Sequence, residues 1–167
     1  MNIDYDKLSC LKCNLGGSNM NEEYDMLKLE NQLCFPLYAC SKEIIRRYKP
    51  YLDPLDLTYT QYITMMVMWE KSEITIKGLG NILYLDSGTL TPVLKKLETK
   101  GYISRERSQE DERNVFVVIT EKGQKLKETA AEIPIKLGAC VKLLPEEFQQ
   151  LQKLLHQVLS GLEINLP

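Results

Sequence analysis

The chain has 167 residues, of which 44% are hydrophobic, so it is long enough for one globular domain with a substantial core, and a second domain is not expected. The formal net charge is -2, with 21 basic and 23 acidic side chains, so the total charge gives no indication of binding to nucleic acid. No apolar run is long enough to cross a bilayer and the first residues lack a signal-peptide pattern, so we expect a soluble, cytoplasmic protein with no membrane partner.

Residues 1–25 show no periodicity and contain NLGGSNMN, which predicts a flexible N-terminal extension. A first helix is expected to follow and to run to about residue 48. Apolar side chains recur along it at helical spacing: Leu33, Leu37, Ile44, Ile45 and Tyr48. The two prolines of KPYLDPLDL are expected to end this helix.

Cys34 and Pro36 stand close together near the start of this helix. If the helix begins near residue 31 or 32, Pro36 lies close to the first turn, and Cys34 falls in that turn, where the helix dipole favours a thiolate. If the helix begins near residue 26, Pro36 kinks it and frees a carbonyl beside Cys34. The alternative to a functional thiol is a small buried hydrophobic residue, which is the interpretation we give Cys40.

The middle of the chain predicts a helix-turn-helix followed by a hairpin. Thr58 and Gln61 match a capping box that opens a second helix, SEITI is a candidate strand, and a third helix is expected over residues 77–84. The turn DSGT leads into a fourth helix that ends at Gly101. The β-rich runs YISRERS and VFVVIT flank the polar loop QEDERN. This order of elements is that of a winged helix.

The last part of the chain predicts two more helices. Thr120 is expected to cap a fifth helix that runs to about Leu144 with a kink at Pro134, and Pro145 is expected to begin a sixth. The first, fifth and sixth helices carry wide apolar faces that one winged-helix core cannot bury, which predicts a homodimer.

We therefore predict a mainly α fold with a small β-hairpin wing. After the extension over 1–25, one domain would occupy residues 26–167. Within it, the winged helix-turn-helix DNA-binding core would occupy 55–120, and the dimerisation helices would occupy 26–50 and 121–165.

The start of the fourth helix is a candidate DNA-reading face. Its apolar side chains share one side, which turns a set of small or basic residues outward: Ser87, Thr89, Thr91, Pro92, Lys95 and Lys96. Small hydroxyl side chains near a helix N-terminus can approach base edges, and the helix end attracts phosphate. Residues 87–107 also contain five basic and two acidic side chains, a local surplus of three. For a lone amphipathic helix, the alternative is an ordinary solvated face.

The predicted hairpin tip contains Asp111 and Arg113, two residues apart, so an extended chain points both to one side. The carboxylate can then hold the guanidinium extended, which suits insertion into a minor groove. The alternative is a surface ion pair of little energetic value.

The stretch DSGTLTPVLKKLETKGYISRERSQEDERNVFVVITEKG resembles the recognition helix and wing of the MarR family of transcriptional repressors, and the resemblance spans about residues 29–162. It implies a homodimer on double-stranded DNA with a pseudo-palindromic operator. Two copies of the fourth helix would lie in successive major grooves and place these residues near bases: Ser87, Thr89, Thr91, Pro92 and Lys95. Arg113 would enter the minor groove, positioned by Asp111.

The words LENQLCF, LY, YKP, LTY and LYLDSGTLTP are similar to the OhrR subgroup of that family, which senses organic hydroperoxides. The resemblance implies that peroxide oxidises Cys34 to a sulfenic acid and that Tyr48 and Tyr59 hydrogen-bond the thiolate. Some of these sensors resolve the sulfenic acid with a second cysteine of the partner chain, and because Cys140 lies in the corresponding region we favour this two-cysteine route. The alternative is that Cys34 has no resolving thiol and takes a small-thiol cap or over-oxidises. Tyr48 follows Cys34 by fourteen residues, or ~21 Å of helix, so it would come from the other subunit. Two residues depart from the subgroup, Pro36 for an aliphatic residue and Thr60 for a proline.

Two other functions remain open from the residues. One is a MarR-type repressor that responds to a small phenolic or anionic ligand, and the other is a thiol peroxidase that uses Cys34 in turnover. Cys10 and Cys13 have half the spacing of a zinc knuckle, but no second pair follows, and the only histidine, His156, is distant. We expect no metal, no cofactor and no enzymatic activity.

Overall fold

A computed structural model of the protein describes residues 24–107, 114–138 and 142–162. The chain divides into two compact units, residues 1–46 and 47–167. Five residues of predicted importance lie outside the described residues: Cys10, Cys13, Asp111, Arg113 and Cys140. Among the helices of the described ranges, none combines the length and hydropathy that a bilayer crossing requires.

Two single 3-10 turns, Asp25–Leu27 and Leu29–Asn31, precede helix α1, Cys34–Leu52. Cys34 is the first residue of α1 and Pro36 is the third. The first backbone N–H groups of a helix have no acceptor within the helix, so the missing N–H of Pro36 costs no hydrogen bond. Of the two expected arrangements, the structure follows the one with Cys34 in the first turn.

The predicted end of the first helix near Tyr48 was wrong, because α1 continues through Pro50 to Leu52. Pro50 removes only one backbone hydrogen bond this close to the C-terminal end. Leu52 is 2% exposed, and burial of its side chain in the core holds the last turn in place. A short 3-10 helix, Asp53–Leu55, then leads to the left-handed residue Asp56.

The predicted winged-helix order is confirmed. It consists of α2 (Tyr59–Lys71), β1 (Glu73–Thr75), α3 (Ile76–Leu83), α4 (Ser87–Thr99), β2 (Ile103–Arg107) and β3 (Val115–Ile119). The strands form an antiparallel sheet in the order β1-β3-β2, with Ile74 opposite Val117 and Arg105 opposite Val117. Sequence analysis also gave the α2 capping box correctly: the Thr58 hydroxyl accepts from the Gln61 N–H, and the Gln61 side chain accepts from the Thr58 N–H.

The core of this unit fixes the orientation of α4. Three α4 leucines are at most 1% exposed, namely Leu90, Leu94 and Leu97. They belong to one hydrophobic cluster with Met65 and Met68 of α2. Because one side of α4 is anchored in the core, the opposite side is held toward solvent.

The long fifth helix that we predicted to reach Leu144 was wrong. The structure has α5 (Glu121–Ala130) and α6 (Ile133–Gly138), separated by a turn. Pro134 has no N–H and disfavours helical geometry at the residue before it, so it suits the first turn of a new helix better than the middle of a long one. Thr120 caps α5 as expected, its hydroxyl accepting from the Gly123 N–H at 3.0 Å.

Pro145 begins α7 (Pro145–Gly161), also as expected. None of the described side chains of α7 is buried. Its large apolar side chains are all more than a third exposed: Phe148, Leu151, Leu154, Leu155, Val158 and Leu159. In the first unit the apolar side chains of α1 are likewise exposed: Phe35, Leu37, Tyr38, Ile44 and Ile45. Within the described residues, both apolar helix faces are therefore exposed.

Candidate nucleic-acid interface and redox site

The N-terminus of α4 is organised by Asp86. One carboxylate oxygen, Oδ1, accepts from the backbone N–H of Thr89 at 2.9 Å, and the other, Oδ2, accepts from the Thr89 hydroxyl, also at 2.9 Å. The hydrogen bond from the Thr89 backbone N–H is the main reason that the pKa of Asp86 lies below its ordinary value. The sequence predicted the turn DSGT here, but not that Asp86 makes two hydrogen bonds to Thr89.

The predicted reading residues all lie on the exposed side of α4: Ser87, Thr89, Thr91, Pro92 and Lys95. The Thr91 hydroxyl donates to the Ser87 carbonyl oxygen at 2.6 Å, one turn earlier. Both threonines are exposed, and each hydroxyl donates its proton within the chain, Thr89 to Asp86 and Thr91 to the Ser87 carbonyl.

Two of the five basic side chains of residues 87–107 are held in ion pairs. Arg105 donates to one oxygen of Glu98 through Nη2 at 2.5 Å and Nε at 3.0 Å, and this bond is the main reason that the pKa of Glu98 is lowered. Lys100 pairs with the carboxylate of Asp56 at 3.0 Å.

The other three basic side chains of residues 87–107 make no ion pair among the described residues: Lys95, Lys96 and Arg107. Lys95 and Lys96 remain available to phosphates beside the reading face.

A cluster of aromatic rings lies where α1 ends and α2 begins. Within the second unit, the ring centroids of Tyr48 and Tyr59 are 4.9 Å apart, and those of Tyr48 and Tyr62 are 5.7 Å apart. Tyr62 in turn packs edge-on against Trp69, whose indole N–H donates to the Gly123 carbonyl oxygen at 2.9 Å. The structure thus brings together the two tyrosines that the sequence singled out.

Burial raises the pKa of Tyr48, Tyr59 and Tyr62 above the ordinary value of a phenol. The hydroxyls of Tyr48 and Tyr59 have no hydrogen-bond partner within the described ranges. Both phenols are therefore protonated donors at neutral pH. The sequence-based prediction did not include Tyr62 in this cluster, although its spacing of three residues from Tyr59 places both on one side of α2.

Cys34 and Cys40 are both exposed free thiols in the first unit. Cys40, which was expected to be a small buried hydrophobic residue, is instead exposed in the part of the chain that the structure describes. Cys34 is not buried either, so the structure does not support a role for it as filler in the core of one chain.

The chain is similar to known transcriptional regulators. A family model described as transcriptional regulator SarA/Rot matches residues 46–130, roughly half of the chain. An organic hydroperoxide resistance transcriptional regulator of Bacillus subtilis (strain 168) is 48% identical over 143 residues, which are 86% of this chain and 97% of that relative.

Solved structures with the same fold include AbfR of Staphylococcus epidermidis. Reduced AbfR bound to DNA has a TM-score of 0.72 at 31% identity, covering 84% of this chain and 96% of that chain. Disulfide-formed AbfR has a TM-score of 0.58 at 34% identity, covering 84% and 99%. Wild-type MarR of E. coli has a TM-score of 0.60 at 27% identity, covering 77% and 97%. The solved relatives thus include a DNA-bound form and a disulfide form of one regulator.

Proposed function

Because the chain belongs to the MarR family of winged-helix transcriptional regulators, we propose that it is a homodimeric repressor that releases operator DNA when an organic hydroperoxide oxidises Cys34. The observation that carries the proposal is the pair of neighbouring phenols, Tyr48 and Tyr59, whose protonated hydroxyls are unpartnered among the described residues. Two such donors suit a thiolate. The hydroperoxide resistance regulator among its relatives supports the choice of oxidant.

The DNA-binding half of the proposal rests on α4. Its inner leucines fix the helix, and its exposed side offers Ser87 and Thr89 in the first turn, where the helix dipole attracts phosphate. Thr91, Pro92 and Lys95 follow on the same exposed side. Arg113 would reach a minor groove with Asp111 beside it, as the resemblance implies. A two-fold dimer would bind a pseudo-palindromic operator, since two related helices read two related half-sites.

The sensing half rests on Cys34, an exposed thiol that is the first residue of α1. The thiolate would attack the distal oxygen of the hydroperoxide and break the O–O bond, so that the sulfur is oxidised to a sulfenic acid and an alcohol leaves. Fourteen residues separate Cys34 from Tyr48 in the sequence, too many for contact within one helix, so the phenols would come from the partner protomer.

We assign the resolving role to Cys140. Its thiol would attack the sulfenic acid of Cys34 in the partner protomer, forming a disulfide and releasing water. A solved relative, AbfR, exists in a disulfide form, which supports a two-cysteine route. Without a resolving thiol, Cys34 would take a small-thiol cap or over-oxidise.

In this account the protein is a stoichiometric sensor in the cytoplasm and not an enzyme. Each Cys34 would react about once with hydroperoxide, whereas a thiol peroxidase would consume oxidant continuously in the presence of a reductant.

A DNA-shift assay with cumene hydroperoxide tests the proposal. A duplex selected from a random library by the reduced protein would be incubated with wild type, Cys34→Ser and Cys40→Ser. We expect oxidant to release wild type and Cys40→Ser from the duplex, because both keep the sensing thiol, and to leave Cys34→Ser bound.

Equal release of wild type and Cys34→Ser would contradict the proposal. Release of both proteins by a small phenol, without oxidant, would instead favour the ligand-responsive repressor.

A further inference from the structure

The double contact between Asp86 and Thr89 fixes the direction of a hydrogen bond on the reading face. An ionised carboxylate can only accept, and the lowered pKa of Asp86 keeps it ionised at neutral pH. The hydroxyl of Thr89, 2.9 Å from Oδ2, must therefore donate its single proton to Asp86. What Thr89 offers to the outside is a methyl group and the remaining lone pair of its oxygen.

The Thr91 hydroxyl also donates its proton within the protein, but for a different reason. Its hydroxyl lies 2.6 Å from the carbonyl oxygen of Ser87, and a carbonyl oxygen can only accept. In this case the backbone of α4 fixes the direction of the bond, with no contribution from Asp86.

We propose that Asp86 is a positioning residue that makes Thr89 a hydrogen-bond acceptor toward DNA, so that Thr89 selects a base presenting an exocyclic amino group in the major groove. This inference rests on the proposed function, because it assumes that α4 reads base edges. In the major groove, adenine N6 and cytosine N4 donate, whereas thymine O4 and guanine O6 accept at the corresponding places. A threonine hydroxyl that only accepts can bond to the amino group of adenine or cytosine. It offers no proton to thymine O4 or guanine O6.

Replacing Asp86 with asparagine would make the Thr89 hydroxyl a hydrogen-bond donor toward DNA without removing the helix cap. The Thr89 backbone N–H needs an acceptor, so the amide oxygen would take the place of Oδ1. The amide nitrogen would then occupy the place of Oδ2 and donate to the Thr89 hydroxyl oxygen, which frees the hydroxyl proton to point outward. Asparagine is as good an N-cap residue as aspartate, so α4 is expected to form normally.

The experiment uses the full-length, reduced protein and base analogues. Random-library selection with wild type and Thr89→Val identifies the base pair whose preference depends on the Thr89 hydroxyl. Valine keeps the shape of threonine and the backbone N–H bond to Asp86. At that pair the exocyclic amino group is then removed, with 2-aminopurine in place of adenine or pyrimidin-2-one in place of cytosine, and duplex affinity is measured.

We expect removal of the amino group to weaken binding by wild type about 3- to 10-fold, the effect of one hydrogen bond. The same change should have no effect on Thr89→Val, which has no hydroxyl, or on Asp86→Asn, whose hydroxyl donates instead. At the pair that depends on Thr91, Asp86→Asn should stay as sensitive as wild type, which serves as an internal control.

The inference is overturned if wild type binds equally well with and without the amino group, or if Asp86→Asn keeps the sensitivity of wild type. It is likewise overturned if no selected base pair depends on Thr89. The comparison of wild type with Thr89→Val leaves Asp86 unchanged, so it can still overturn the inference if Asp86→Asn fails to fold. If wild type selects no duplex at all, the proposed function itself fails, and the two failures are thereby distinguished.

Discussion

At the scale of single residues, the phenols of Tyr48 and Tyr59 are the groups whose chemistry the fold changes most clearly. Burial raises the pKa of each above its ordinary value near 10, so the neutral form persists further into the alkaline range than in a free tyrosine. A phenol that stays protonated can donate to a thiolate whenever the thiolate is present.

Replacing Tyr59 with phenylalanine should therefore slow the reaction of Cys34 with hydroperoxide at neutral pH, because the thiolate loses a hydrogen-bond donor. A hydrogen bond to a charged group contributes about 1.5–3 kcal/mol, so loss of one donor should slow the reaction by roughly tenfold or more. The time course of Cys34 alkylation at neutral pH measures this loss, and affinity of the reduced protein for DNA should not change.

Tyr62→Phe is the matched control for this prediction, since Tyr62 belongs to the same ring cluster but is not assigned to the thiolate. Its alkylation profile should match that of wild type. An unchanged profile for Tyr59→Phe would remove that phenol from the proposed sensor.

Cys34, Tyr48 and Tyr59 were singled out through a family resemblance, and their role in sensing stays a prediction. The structure adds that the two tyrosine rings are neighbours. The ion pair between Glu98 and Arg105 was not predictable by counting charges, because it joins residues on either side of the turn that ends α4. It forms only once β2 folds back alongside that helix.

At the scale of secondary-structure elements, the start of α5 is held against the sheet by a glycine. A Cβ at Gly123 would overlap the carbonyl oxygen of Tyr102 and lie 3.0 Å from the side chain of Ile119. The Gly123 carbonyl oxygen also accepts from the indole of Trp69 on α2. The close approach therefore joins three elements at one point.

Gly123→Ala should lower the free energy of unfolding by about 1–3 kcal/mol, the usual cost of overfilling a packed site. Urea denaturation at one protein concentration measures this change, because the stability of a dimer depends on concentration. Gly161→Ala is the control, since nothing lies within 4 Å of a Cβ there, and it should be neutral or slightly stabilising. Equal stability of Gly123→Ala and wild type would contradict the packing described here.

The errors in predicted helix boundaries have one common cause. The sequence predicted that the first helix ends at Pro50, but Pro50 lies in the last turn of α1, where the Leu52 side chain is buried in the core. Pro134 was taken as a kink, but it begins a separate helix. A proline shows that one hydrogen bond is missing, and tertiary packing decides whether the helix ends there. Helix N-caps depend on residues close in the sequence, which is why Thr58 and Thr120 were assigned correctly.

At the scale of the whole molecule, α1 and α7 expose apolar side chains that a second protomer would cover. Members of the MarR family are dimers, and the predicted dimerisation helices over 26–50 and 121–165 include both exposed faces. The sequence predicted these faces from their periodicity, but a single chain contains no contact that decides how two copies meet. The proposed sensor is correspondingly a property of the pair, since it takes Cys34 from one protomer and Cys140 from the other.

The most direct test of this shared sensor is non-reducing mass analysis after one equivalent of cumene hydroperoxide per chain, followed by peptide mapping of any disulfide. The account predicts a covalent species of about twice the 19.3 kDa chain mass, joined through Cys34 of one protomer and Cys140 of the other. A product of single-chain mass with Cys34 unmodified, or with Cys34 joined to a cysteine of its own chain, would contradict it.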